Sequence, residues 1–465
     1  MNYCQANEKN PSYLMKRSMK IILSSKIHHY VKRLSIFLII VALIAGMVGC
    51  ASSESYALAI ISTDGGNVTT PGEGIFTYGA GTVVDLVATP DVGYCLVNWT
   101  GDVDTIANVS AAATNITMNG DYVITANFVQ GQAIRDWYDL DGVSNNLSGI
   151  YVLTNNLDST TAGYEELASE TANDGKGWEP IGPYDEPYDE HFTGTFDGQG
   201  YEIRDLFINR PAENGIGLFG WVVEKGVIKN VGVVGVVMTG FALVGALVGY
   251  NQGTVRNSHS AGSVTGDRWV GGLVGLSSWC TVTDSYSTAN VDGSQNVGGL
   301  VGWNLRTAVS NSYATGNVTG FLNVGGLVGW NDDNATVSNS YSTGSVTGNT
   351  HVGGLVGEND AYVSSSYSTG GVSGNDDVGG LVGHREGYVS FSFWDTETSG
   401  QSTSDGGTGK TTAEMQDIDT FTDTETPGLY EPWDMIAVAN PGTRNSNYIW
   451  NIVDDETYPF LSWQS

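Results

Sequence analysis

The sequence predicts an all-β protein built around a parallel β-solenoid of about seven coils. Three observations lead there. Gly accounts for 63 of 465 residues, nearly twice the usual ~7%, while charged residues at 15% fall well below the usual ~25%. The vocabulary is Gly, Ser, Thr, Val, Asn and Tyr, which favours short strands and tight turns over long helices. Above all, a Gly-Leu-Val-Gly pattern recurs with its last Gly at 220, 249, 275, 302, 329, 357 and 383, intervals of 26 to 29 residues; the first copy has Phe219 for Val, the second has Ala246 for the first Gly, and the other five are identical.

From the N-terminus, Lys32-Arg33 precede an apolar run from Leu34 to Val48. The run is short for a membrane span and suits a signal peptide. Its end, Met47-Val48-Gly49-Cys50, resembles the bacterial lipobox, in which small residues precede a Cys that is lipidated and becomes the mature N-terminus. Residues 1–49 are therefore expected to be a lipoprotein signal peptide, and residues 50–55 the lipidated Cys50 and a linker. Beyond residue 49 lie 12 basic and 49 acidic residues, a formal charge of −37. Such a surface repels nucleic acid and anionic lipid, and a membrane partner is expected only through the lipid. The other cysteines, Cys4, Cys95 and Cys280, form neither a zinc pattern nor a disulfide framework.

A first module spans 56–129. Val83 to Ala88 alternates as a strand, Pro90-Asp91-Val92-Gly93 turns the chain, and Tyr94 to Trp99 and Val123 to Phe128 read as further strands. The order of these pieces resembles the divergent internalin-type B repeat, which implies a small β-grasp-like spacer or binding module. Trp99 is expected in its core.

The solenoid proper is expected over 216–394. Two more registers keep step with the glycine motif: His259, Tyr286, Tyr313, Tyr341, Tyr367 and Phe393, and Met238, Val264, Val291, Val318, Val346 and Val372. Three strand-like segments per repeat suggest a three-sided coil. Such a coil cannot bury its own apolar face, but stacking places like residues about 4.8 Å apart in continuous columns. Asn251, Asn304, Asn331 and Asn359 recur two residues past the motif, where stacked amides can bond one another. The paired glycines imply positive φ or close backbone approach. Whether Leu273 or its neighbours Val270 and Val274 point inward is open at this level.

These repeats resemble the GLUG motif of bacterial surface proteins over roughly residues 131–465. The lead-in, with Trp137, Gly177-Trp178 and Phe196-Asp197-Gly198, is similar to the family's capping region and is assigned to 130–215. A C-terminal cap is assigned to 395–465, ending in Tyr458-Pro459-Phe460-Leu461-Ser462-Trp463. The family occurs beside adhesins and in some IgA-specific metallopeptidases, and the motif itself implies no catalysis.

Signatures of chemistry are sparse. None of the six histidines sits in a His-Glu-x-x-His helix, and no metal site is expected. Calcium is conceivable in the acidic loop Asp185 to Glu190, which reads as a hydrated insertion. Asp139-Leu140-Asp141-Gly142 lacks the closing Glu of a calcium loop. Gly406 to Thr411 imitates a phosphate loop without its first Gly or its βαβ setting. Catalytic residues are thus expected to be none. The alternative is a β-helical polysaccharide lyase or glycoside hydrolase using the acids Asp332, Asp333, Glu358, Asp360, Asp376 and Asp377, which show no fixed partner in sequence.

The function expected is that of an exported protein, membrane-anchored or at the cell surface, with a binding, adhesive or structural role and a glycan or surface-protein ligand. Immediately after each motif Gly stand Trp221, Tyr250, Leu276, Trp303, Trp330, Glu358 and His384. Trp303, Trp330 and Tyr250 are the candidate ligand-binding residues, because adjacent rings on a turn column offer flat apolar area to sugars.

Overall fold

The computed structural model describes residues 54–184 and 191–464. Cys50 and the acidic loop 185–190 lie outside them. The chain divides into two compact units at Val129/Gln130.

In the first unit the strand Ser55–Ser62 pairs antiparallel with Gly74–Gly79 and parallel with Tyr122–Gln130. That central parallel pair is the β-grasp-like part of the arrangement, although among its described residues no helix covers the sheet. A second, three-stranded sheet completes the module. Trp99 is 1% exposed and packs in a core with Leu58, Leu86, Ile116 and Ile124.

The second unit is a parallel β-solenoid. A representative coil holds five short strands, Gln295–Gly298, Val301–Leu305, Ala308–Ser310, Tyr313–Ala314 and Val318–Thr319, and each pairs parallel and in register with the next coil. The strands stack into two seven-stranded sheets, one of ten and one of fourteen. The expected three segments are thus five, because sharp corners of two or three residues split the longer segments. Gly299-Leu300 turns the first strand into the second. At a further corner, Asn230, Asn257, Asp284, Asn311 and Asn339 adopt φ of 48 to 54°, the left-handed region that Asn and Asp tolerate best among residues with a side chain.

The motif glycines serve close approach, not positive φ. A Cβ on Gly302 would stand 2.5 Å from the Val270 backbone nitrogen and 2.6 Å from the Gly275 oxygen, so the two seven-stranded sheets meet backbone to backbone. The inward question resolves three ways at once: Val270, Leu273 and Val274 are all fully buried. One continuous apolar core runs from Ile134 to Trp394.

Polar ladders accompany it. Asn304 Nδ2 donates to Asn331 Oδ1 at 2.8 Å, and Asn331 Nδ2 to Asn359 Oδ1 at 2.7 Å. Where Ser277 replaces Asn, Asn251 Nδ2 donates instead to Ser277 Oγ and Cys280 Sγ. A serine column works the same way, with the Ser285, Ser312 and Ser340 amides donating to Ser312, Ser340 and Ser366 hydroxyls at 3.2 Å. All of these side chains but Cys280 are buried, where an unbonded polar atom is costly.

At the N-terminal end, Gln132–Ile134, Ile150–Leu153 and Thr195–Asp197 extend the ten-stranded sheet, and the helix Trp137–Asp141 buries Trp137 and Leu140. At the other end Thr408–Lys410 pairs with Phe393–Asp395, and Thr411 caps the following helix through Glu414. The phosphate-loop imitation is therefore a closing strand. The rest of the tail runs back along the side of the rod: Trp433, Trp450 and Leu461 pack with Tyr341, Tyr367 and Phe393, and Trp463 Nε1 donates to the Asn311 carbonyl at 3.1 Å.

Candidate functional site

Two columns of side chains stand next to each other at the Gly-Gly-Leu corner. One is the column after the motif. The other precedes it and consists of Leu243, Trp269, Asn296, Asn323, His351 and Asp377, all at φ of 49 to 58°. Their proximity is direct: Trp269 and Trp303 rings lie 5.8 Å apart, and His351 Nδ1 is 3.7 Å from Glu358 Oε2.

The strip changes chemistry along its length. At the N-terminal end Tyr250 stacks on Trp221 at 5.0 Å and meets Tyr184 edge-on at 6.1 Å; burial raises the Tyr250 hydroxyl above its ordinary range. In the middle Trp303 and Trp330 stack at 4.9 Å with planes 6° apart, close to the strand spacing. Both are half-buried, and their faces lie against each other, so their edges line the strip. Trp330 Nε1 donates to Asp360 Oδ2 at 3.0 Å. Tyr250 is separated from the tryptophan pair by the buried Leu276, so the three candidates form two clusters.

Carboxylates border the indoles. Burial and then repulsion from Asp360 push the Asp332 carboxyl up. The same two causes, in the same order, raise Glu358. Arg306 lies over the Trp279 ring at 4.5 Å and pairs with Asp333.

At the C-terminal end, sequence reasoning missed a convergence. His351 Nε2 and His384 Nδ1 approach the same Asp377 oxygen at 3.4 and 3.7 Å, and the two imidazoles stack at 4.5 Å. No local motif joins these residues. The signal lay in register arithmetic, since Glu358 pairs with His384 and Thr350 with Asp376 across adjacent coils.

The family model of the divergent InlB B-repeat domain matches residues 56–132, and that of the GLUG motif matches residues 293–319 and 322–347. Both agree with the resemblances in the sequence. Over 145 residues, 31% of this chain and 2% of the relative, the sequence is 36% identical to halomucin of Haloquadratum walsbyi. Over 86 residues, 18% of this chain and 10% of the relative, it is 44% identical to a protein of Evansella cellulosilytica described as a Gly-rich membrane protein. The chain thus spans a small part of the curated relatives it matches. Among solved structures, a candidate immunoglobulin A1 protease of Bacteroides ovatus is similar at 17% identity and a TM-score of 0.46, covering 72% of this chain and 93% of that one.

Proposed function

We propose that the chain is an exported, lipid-anchored surface protein whose solenoid presents the two-column strip to a glycan or surface-protein ligand. One observation carries the reading. Interior columns repeat one residue type, as in the Leu273, Leu300, Leu327, Leu355 and Leu381 series, whereas the strip holds Trp, Tyr, Leu, Glu and His at equivalent positions of one scaffold. Stacking alone would favour a uniform column. Variation on a fixed frame is how a repeat protein writes a specific surface. Aromatic edges beside carboxylates offer apolar contact and hydrogen-bond acceptors to sugar hydroxyls or to a protein partner. Extracellular placement is supported by the lipobox-like segment and by relatives described as a halomucin and a membrane protein.

The test combines binding and stability. Trp303→Ala with Trp330→Ala should abolish binding on a glycan array or to whole cells while the melting temperature falls by only a few degrees. Binding that fails only alongside unfolding would make the pair purely structural. In parallel, Cys50→Ser should release the protein from membranes, because the lipid is the anchor in this reading; retention of the variant would contradict it.

A second reading, a polysaccharide-active enzyme, draws on the raised carboxyls of Asp332 and Glu358 beside Asp360. Release of new reducing ends or unsaturated products from a polysaccharide, lost in Asp360→Asn, would favour it over binding alone.

A further inference from the structure

We propose that His351, Asp377 and His384 form a site for one divalent transition-metal ion of the Zn2+ class at the C-terminal end of the strip. Each residue offers one ligand atom, and the three atoms lie within 4.8 Å of one another. Ligands about 2.0–2.1 Å from a tetrahedral ion stand roughly 3.4 Å apart, and the separations from the two imidazoles to the Asp377 oxygen, 3.4 and 3.7 Å, are close to that spacing.

The surroundings orient the first ligand. His351 Nδ1 lies 2.9 Å from Asn323 Oδ1, and Asn323 Nδ2 donates to Asn296 Oδ1 at 2.9 Å, which turns the Asn323 oxygen toward the imidazole. Glu358 Oε2, an acceptor when ionised, stands 3.7 Å from the same nitrogen. In the tautomer that these acceptors favour, with the proton on Nδ1, the Nε2 lone pair faces the Asp377 carboxylate. Two electron-pair donors then face one point, and a shared cation is what relieves them. An acceptor behind a ligating imidazole is the usual support of a metal-bound His.

The donor set selects the ion. Two imidazoles and one carboxylate suit Zn2+, Ni2+ or Cu2+, whereas Ca2+ requires six to eight oxygens. The three residues belong to two successive coils, Thr350–Gly353 with its neighbours Asp376–Gly379 and Val382–Arg385, so the ion would clasp the end of the array. Three protein ligands leave a fourth position for water or for a donor on a partner. The metal site stands whatever the identity of the strip's ligand.

The full chain is titrated with Zn2+ alone, by calorimetry and against a chromophoric chelator, with Ca2+ as a competitor. One Zn2+ should bind per chain, undisturbed by Ca2+. His384→Gln and Asp377→Asn should each weaken binding at least tenfold, and Glu358→Gln should weaken it by about 10 to 100-fold as a supporting residue. Asp377 is an exposed side chain, so its variant keeps the test decisive if His384→Gln folds poorly. Absence of stoichiometric Zn2+ from the parent, or equal affinity in the parent and in Asp377→Asn, overturns the proposal.

Discussion

Gly302 and Leu300 show how one tetrapeptide sets both the backbone and the core. Leu300 is fully buried, and Leu300→Ala is expected to cost about 2–5 kcal/mol through lost contact and a residual cavity. Gly302→Ala adds one carbon, yet that carbon meets backbone atoms at 2.5 and 2.6 Å, and these have no rotamer by which to move aside. The expected cost is about 3 kcal/mol or more, at the upper end for overpacking. Gly142, with φ −58° and open space where a Cβ would stand, no atom lying within 4 Å, provides the control: Gly142→Ala should change stability by less than about 1 kcal/mol. Denaturant melts of the three variants check the order. Comparable loss at Gly302 and Gly142 would contradict the backbone contact between the sheets.

Columns behave as units that no single residue describes. Tyr286, Tyr313, Tyr341 and Tyr367 stack at 4.8 to 5.0 Å with planes within 6°. The tail covers them, with Gln464 Nε2 donating to the Tyr341 hydroxyl and the Tyr367 hydroxyl donating to the Pro459 carbonyl. Burial pushes the Tyr313 hydroxyl up to about 12 and raises Tyr341 and Tyr367 as well. A phenol whose folded pKa is raised keeps its full contribution below the unfolded value of about 10. That contribution is lost as pH rises toward and through about 12, since the unfolded chain releases its protons first. The guanidinium midpoint should therefore fall between pH 10 and 12, and fall less steeply in Tyr313→Phe. Phe393 already occupies an equivalent position in the column, so the ring itself is tolerated. Identical slopes in both proteins would place the tyrosines in water.

Across the whole molecule, what repeats was legible in the sequence and what the repeats bring together was not. The seven motifs announced the coils, the Asn and Tyr columns appeared as predicted, and Trp99 lies in the core of its module. Five strands per coil were hidden because corners such as Gly299-Leu300 and Asn311-Ser312 are only two residues long, in a chain where Gly, Asn and Ser recur throughout. The tail's path back to Asn311 was equally hidden, since its contacts span up to 152 positions of sequence. The histidine cluster required the register itself. Parallel, in-register stacking of coils is therefore the claim on which the columns, the strip and the cluster all rest. Cysteine pairing tests it most directly. Thr319 and Thr347 are exposed and pair directly across adjacent coils, and Thr347 pairs in turn with Ser373. Neighbours about 4.8 Å apart fall within disulfide reach, whereas residues two coils apart, roughly 10 Å, do not. In a chain with its native cysteines replaced, Thr319→Cys with Thr347→Cys should close under mild oxidation and keep the native melting temperature or raise it. Thr319→Cys with Ser373→Cys should remain open; closure of the distant pair in preference to the adjacent one would contradict the register.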